Sequence, residues 1–194
     1  DIDADNGFRP PGSFRLSQTN STSAEIFIDF GSTVKSGSAA THNLTIYKAP
    51  SGSLVFGSGT VQWSWGLDNY TTGQSVDQNM QQATVNLLAD MRTQPITLIS
   101  GLTAAAASTD ITAPTSTITS PASEANIADG TAVTVTGTAT DAGGGVVAGV
   151  EISTDGGTNW RRASGTTNWT YSWNAHGSPT STLRSRAVDD SGNL

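Results

Sequence analysis

The sequence predicts a mixed, mostly β chain. A partial α/β region with one amphipathic helix comes first, and an all-β sandwich follows. Three observations carry this expectation. Only 13% of the residues are charged, while Gly, Ser and Thr are abundant, a composition of strands and turns. Helical periodicity occurs in one place, between Val76 and Met91. From Pro114 onward, six short runs of alternating apolar and polar residues are separated by turn signals.

The chain opens with Asp-Ile-Asp-Ala-Asp-Asn-Gly, followed by a Pro-Pro-Gly turn. Asp1, Asp3 and Asp5 alternate as in a calcium loop and are candidate ligands for that ion. The glycine comes one residue late, at Gly7, and the closing position holds Gly12 where a bidentate Glu is needed. A solvated acidic turn is therefore the expectation. Phe14 to Leu16 reads as a short strand. Ala24 to Phe30 alternates around Ile26, Ile28 and Phe30, which suits a strand or a short helix. Gly31 to Ala40 reads as a Ser/Gly loop. Asn43 to Lys48 is a strand, and Pro50-Ser51-Gly52 turns into a second one, Leu54 to Phe56.

Val61, Trp63 and Trp65 fall on one face of an expected strand, with Gln62 and Ser64 on the other. Gly66 to Gly73 is loop. Val76, Met80, Ala83, Leu87, Leu88 and Met91 then form an apolar stripe on a helix. Asp77 near its start and Arg92 near its end suit the helix dipole, and Pro95 lies beyond its stop.

Residues 104–113 read as a linker of small and polar residues. They divide a region 1–103 from a second region 114–194. In the second, Ala132 to Thr140 alternates with Val133, Val135, Gly137 and Ala139 on one face. Val147 to Thr154 runs into Asp155-Gly156-Gly157, a tight-turn signal. Trp169, Tyr171 and Trp173 share a face of the next long strand, and Ser181 to Val188 is the last full one. Short strands at this spacing argue for an immunoglobulin-like sandwich. Such sandwiches end on one more strand after a turn like Ser191-Gly192-Asn193, so a continuing chain, or a strand supplied from elsewhere, is expected.

Two resemblances stand on particular wording. Leu54-Val55-Phe56-Gly57-Ser58-Gly59-Thr60-Val61-Gln62-Trp63-Ser64-Trp65-Gly66-Leu67-Asp68-Asn69, with the Gln81 to Met91 helix, resembles the C-terminal part of the N,N-dimethylformamidase large-subunit-like domain. The lead-in Asp5 to Ser17 and the segment Thr41 to Gly52 resemble the same region, so the likeness spans about 1–102. It implies the tail of a glutamine-amidotransferase-like α/β fold from large bacterial proteins. Tyr47, Tyr70 and Glu25 lie in no motif matching the family's Tyr and Glu iron ligands. From Pro114 to Leu194 the chain resembles the immunoglobulin-like dimerisation domain of sulfite-oxidase-type molybdenum enzymes. The shared wording includes Val150-Glu151-Ile152-Ser153-Thr154-Asp155-Gly156-Gly157 and Ser185-Arg186-Ala187. That likeness implies association or spacing, including self-association of the sandwich, and no molybdenum ligands.

The formal net charge of −7 argues against nucleic acid and anionic membranes as partners. No apolar run approaches the ~20 residues of a membrane span. The absence of Cys excludes disulfides and thiolate chemistry. The chain begins at Asp1, which reads as a processed or partial polypeptide. Few Lys, no Cys and much Thr, Ser and Gly suit a secreted or cell-surface bacterial protein. No complete catalytic set is visible. His42 and Asp68 are candidates for acid–base work. Trp63, Trp65, Trp169 and Trp173 are candidates for binding, as a sugar platform, although a core role is expected of the Trp169–Trp173 face. Asp141, Asp189 and Asp190 lie in turns where a sandwich can take calcium. The expected function is a non-catalytic structural or interaction region of an exported multidomain protein, whose partners are other protein domains. The alternatives are part of a C–N bond hydrolase completed by other sequence, and a carbohydrate-binding module.

Overall fold

The computed structural model describes residues 7–22, 25–37, 39–70, 75–176 and 180–194. They form two compact units, each built from separated stretches. One comprises residues 16–45 and 53–109, and the other residues 7–15, 46–52 and 110–194.

Strands β1 (Phe14–Thr22), β4 (Ala39–Lys48) and β5 (Leu54–Gly57) form a three-stranded sheet in the order β1-β4-β5. Between β1 and β4 lies a hairpin of β2 (Glu25–Ile28) and β3 (Thr33–Ser36), paired from Glu25 with Ser36 to Ile28 with Thr33. Within the Ala24 to Phe30 run, the described residues from Glu25 form a strand followed by a 3₁₀ turn, Asp29–Gly31. The hairpin also corrects the Gly31 to Ala40 loop, because Thr33 to Ser36 is a strand. The reversal is made by Asp29 and Phe30 at positive φ (51° and 57°) and by Gly31, so the polar Thr-Val-Lys-Ser run finds backbone partners that its side chains do not announce.

Val61 to Trp65 is not a strand. Trp63–Gly66 is a 3₁₀ turn, and Val61 is exposed. Tertiary contacts override the five-residue alternation. The Trp63 ring meets Phe56 edge-on at 5.3 Å, and its indole N–H donates to Thr84 Oγ1 at 3.2 Å. Helix α1 (Gln78–Asp90) begins at its N-cap Asp77, whose carboxylate accepts from Asn79 and Met80 amides. The buried positions are Val85 and Ala89, whereas Ala83 is exposed. The helix is rotated from the expected stripe because its polar residues are tied to loops. Gln81 Nε2 donates to the Leu67 carbonyl at 2.6 Å, and the Gln82 amide exchanges hydrogen bonds with the Thr103 backbone at 2.8 Å. Further along, Ala105 N donates to Gln94 Oε1 and Ser108 N to Asp90 Oδ1, which fastens the small-residue stretch to this unit.

The second unit holds two antiparallel sheets. The first has the order β10-β11-β7-β6, made of β6 (Thr115–Ser120), β7 (Ala132–Thr140), β10 (Ser164–Gly165) and β11 (Asn168–Asn174). The second has the order β12-β8-β9, made of β8 (Val147–Ser153), β9 (Arg161–Arg162) and β12 (Arg184–Asp189). Val135, Ala139 and Trp169 from the first sheet and Val150, Ile152 and Ala187 from the second close one core, as an immunoglobulin-like sandwich requires. Trp169 stands opposite Gly137 in the ladder, and a Cβ at Gly137 would overlap the Trp169 indole and the Thr117 carbonyl. Gly137 therefore makes the space that the largest core side chain fills.

Residues 7–15 and 46–52 are part of this unit. Phe14 and Ile46 are buried, and Phe14 lies against Gly149. Glu151, almost fully buried, receives Arg186 Nε on Oε2 at 2.7 Å and lies 3.7 Å from Arg9 Nε. Arg186 also covers the Trp160 ring at 4.0 Å, so its charge is shared between a carboxylate and an aromatic face. Arg161 donates to the Gly7 carbonyl at 2.7 Å.

Candidate metal centre

Three turns of the second unit bring carboxylates together. Asp110 precedes β6 and holds the Thr112 amide on Oδ1 at 2.9 Å. Asp141 follows β7 and holds the Gly143 amide on Oδ1 at 3.0 Å. Asp189 ends β12 and is fully buried. Its Oδ1 accepts the Ser191 and Asn193 amides, and its Oδ2 accepts Asn193 Nδ2 at 2.8 Å. Each turn thus uses a carboxylate oxygen to hold its own backbone, which fixes the side chain.

One carboxylate oxygen from each of Asp110, Asp141 and Asp189 lies within 4.8 Å of the others. Calcium takes oxygen ligands at about 2.3–2.6 Å, so two ligands on opposite sides of the ion stand roughly 4.8 Å apart. The separation matches a shared divalent cation. Asp141 Oδ2 is enclosed and accepts no hydrogen bond among the described residues. Gly145 packs against this group, since a Cβ there would lie 2.9 Å from Asp141 Oδ2 and 3.0 Å from Asp110 Oδ2, and would overlap Asp190 Oδ1. Asp190 Oδ1 accepts the Val146 amide at 3.1 Å. Asn193 braces the arrangement from behind, donating also to the Asp110 carbonyl at 3.1 Å and accepting from Lys48 Nζ at 3.2 Å. Carboxylates this close repel one another, and a hard cation is one chemistry that relieves such repulsion.

Asp141 and Asp189 were legible as turn acids. Asp110 was not, because it sits in a stretch that reads as linker. The available signal was its position two residues before Thr112, the spacing of a side-chain-to-backbone turn. Asp1, Asp3 and Asp5 lie outside the described residues.

The remaining candidates are dispersed. His42, on β4, has its Nε2 2.8 Å from the Ser58 carbonyl. Asp68 accepts the Tyr70 amide at 3.0 Å within its own turn. Trp63 is tied to Phe56 and Thr84, while Trp65 beside it is exposed. Trp169 is in the sandwich core, and Trp173 on the same strand is half-buried at a groove. In the β8–β9 turn, Asp155 is held at a pKa of about 2. The causes are the Asn159 backbone amide first, then the Asn159 side chain and the Ser153 hydroxyl.

No helix among the described residues is long and apolar enough to cross a membrane. Residues 1–83 match the family described as N,N-dimethylformamidase beta subunit-like, C-terminal, and residues 114–187 match the family described as Bacterial Ig domain. No curated protein and no solved structure matches the chain significantly. With the sheets and core above, these matches show what the chain carries: an N,N-dimethylformamidase beta subunit-like C-terminal region followed by a bacterial immunoglobulin-like domain.

Proposed function

We propose that this chain is a non-catalytic structural and interaction region of an exported bacterial multidomain protein, and that calcium held by Asp110, Asp141 and Asp189 stiffens its immunoglobulin-like unit. The observation that carries the calcium reading is the enclosed Asp141 Oδ2, which accepts no hydrogen bond among the described residues and faces two further carboxylates. A cation there ties the entry into β6, the β7–β8 turn and the end of β12 to one point. Waters and backbone carbonyls complete its shell. The structural reading draws support from the engagement of His42 and Asp68 by nearby backbone and from the domain types the chain carries.

Thermal unfolding with EDTA and with excess calcium tests the ion. At a hundredfold excess over Kd, binding stabilises by about 2.7 kcal/mol, which raises Tm by several degrees. Asp141→Asn removes that increment, and dialysis finds one ion per chain in the wild type and none in the variant. Identical Tm values with EDTA and calcium overturn the calcium reading. The multidomain reading is tested by intact mass from the native source. A species well above 19.9 kDa in the extracellular or surface fraction supports it, and a 19.9 kDa species in the cytoplasm overturns it.

A further inference from the structure

At one end of the sandwich lies an open groove of about 820 Å³, within the range of small-ligand sites. Its apolar wall is Trp173 with Ile118 and Leu183. Trp173 is half-buried on β11, paired with Val133, so its ring is held by the sheet. Its indole N–H makes no hydrogen bond among the described residues. The opposite rim is polar. Glu124 and Asn126 are exposed, and neither side chain has a hydrogen-bond partner among the described residues. Asp129 and His176 lie 3.5 Å apart at the rim, both largely exposed. Glu124 is held at φ 62°, a left-handed backbone that a Glu rarely adopts, and such strain concentrates where a side chain must be aimed.

The chemistry of the walls selects the occupant. Two carboxylates against one imidazole disfavour phosphates, nucleic acids and acidic glycans. An apolar peptide would bury the Glu124 carboxylate without a partner, at a cost of several kcal/mol. A neutral sugar satisfies both sides, because its C–H face packs on an indole while its hydroxyls donate to carboxylates and to an amide oxygen. We propose that this groove binds a neutral oligosaccharide, with the pyranose face on Trp173 and hydroxyls on Glu124, Asn126 and Asp129. This adds a ligand-binding activity to the structural role and does not depend on the calcium site.

The test titrates cellohexaose, xylohexaose and chitohexaose separately into the whole chain and follows the Trp173 indole N–H resonance, assigned with Trp173→Phe. At least one of the three is expected to give a saturable shift. Trp173→Ala, which lacks that resonance and is followed by isothermal titration calorimetry, should weaken binding at least tenfold. Glu124→Gln and Asn126→Ala, at exposed positions that leave the core intact, should weaken it several-fold with Tm unchanged. The proposal is overturned if none of the three sugars shifts the resonance. It is equally overturned if binding survives Trp173→Ala, or if both rim variants bind like the wild type.

Discussion

The two units handle apolar residues in opposite ways. In the unit of residues 110–194 with 7–15 and 46–52, Val135, Val150, Ile152, Trp169 and Val188 are almost wholly withdrawn from water. In the unit of residues 16–45 and 53–109, the buried apolar residues among those described are Val85 and Ala89, while Phe27, Phe30, Val61, Tyr70 and Ile96 are all exposed. The sandwich is closed by its own layers. In the first unit the helix is tied to loops by hydrogen bonds involving Gln and Asp side chains, with little apolar cover among the described residues. Hydrogen bonds contribute about 1 kcal/mol each and fix geometry, whereas apolar burial supplies the bulk of folding free energy. The contrast teaches that resemblance to a domain's wording and possession of that domain's core are separate properties.

The comparison can be broken from the closed side first. Trp169→Ala empties the space that Gly137 opens and should cost about 3–5 kcal/mol, a large share of what such a unit possesses. Urea denaturation followed by amide exchange at Val135 and Ile152 should show protection collapsing. A loss below 1 kcal/mol would mean that the core is not closed around this ring. A smaller effect lies in the β8–β9 turn. Asp155 has its pKa lowered from 3.8 to about 2, so its carboxylate stabilises the folded state fully above pH 3.8. That contribution disappears as pH falls toward 2. Wild type should therefore lose its Tm advantage over Asp155→Asn across that window, and a constant Tm difference would deny the turn its role. The smallest effect belongs to the open side. Phe30→Ser, at an exposed tip, should change stability by no more than about 0.5 kcal/mol in the isolated chain. A loss above 1 kcal/mol in chemical denaturation would show that this ring is covered in solution.

The sandwich was legible because its strands repeat a simple pattern. Val133, Val135, Gly137 and Ala139 alternate with Thr, turn residues separate the runs, and the buried face of β7 follows from period two. The helix was legible in place but not in rotation. Its inward face is set by Gln81, Gln82 and Thr84 reaching loop carbonyls, amides and the Trp63 indole, which no hydrophobic count registers. The β2–β3 hairpin was half hidden because Thr33 to Ser36 has no apolar alternation, and its pairing depends on a left-handed Asp29-Phe30 turn that the residue types do not favour. The acidic cluster was legible only in part. Asp141 and Asp189 declare themselves as turn residues, but their meeting with Asp110 is set by strand order in two sheets.

The interleaving of segments bears on biosynthesis. Phe14, Arg9 and Ile46 are made well before β8 and β12, the strands whose residues they help to enclose. At ribosomal rates of 5–20 residues per second, those early segments wait on the order of 10 s for their partners. During that interval Phe14 and Ile46 are apolar side chains without their burial site. Translation tempo, and whatever shields the nascent chain, thereby become part of how this molecule reaches its final arrangement.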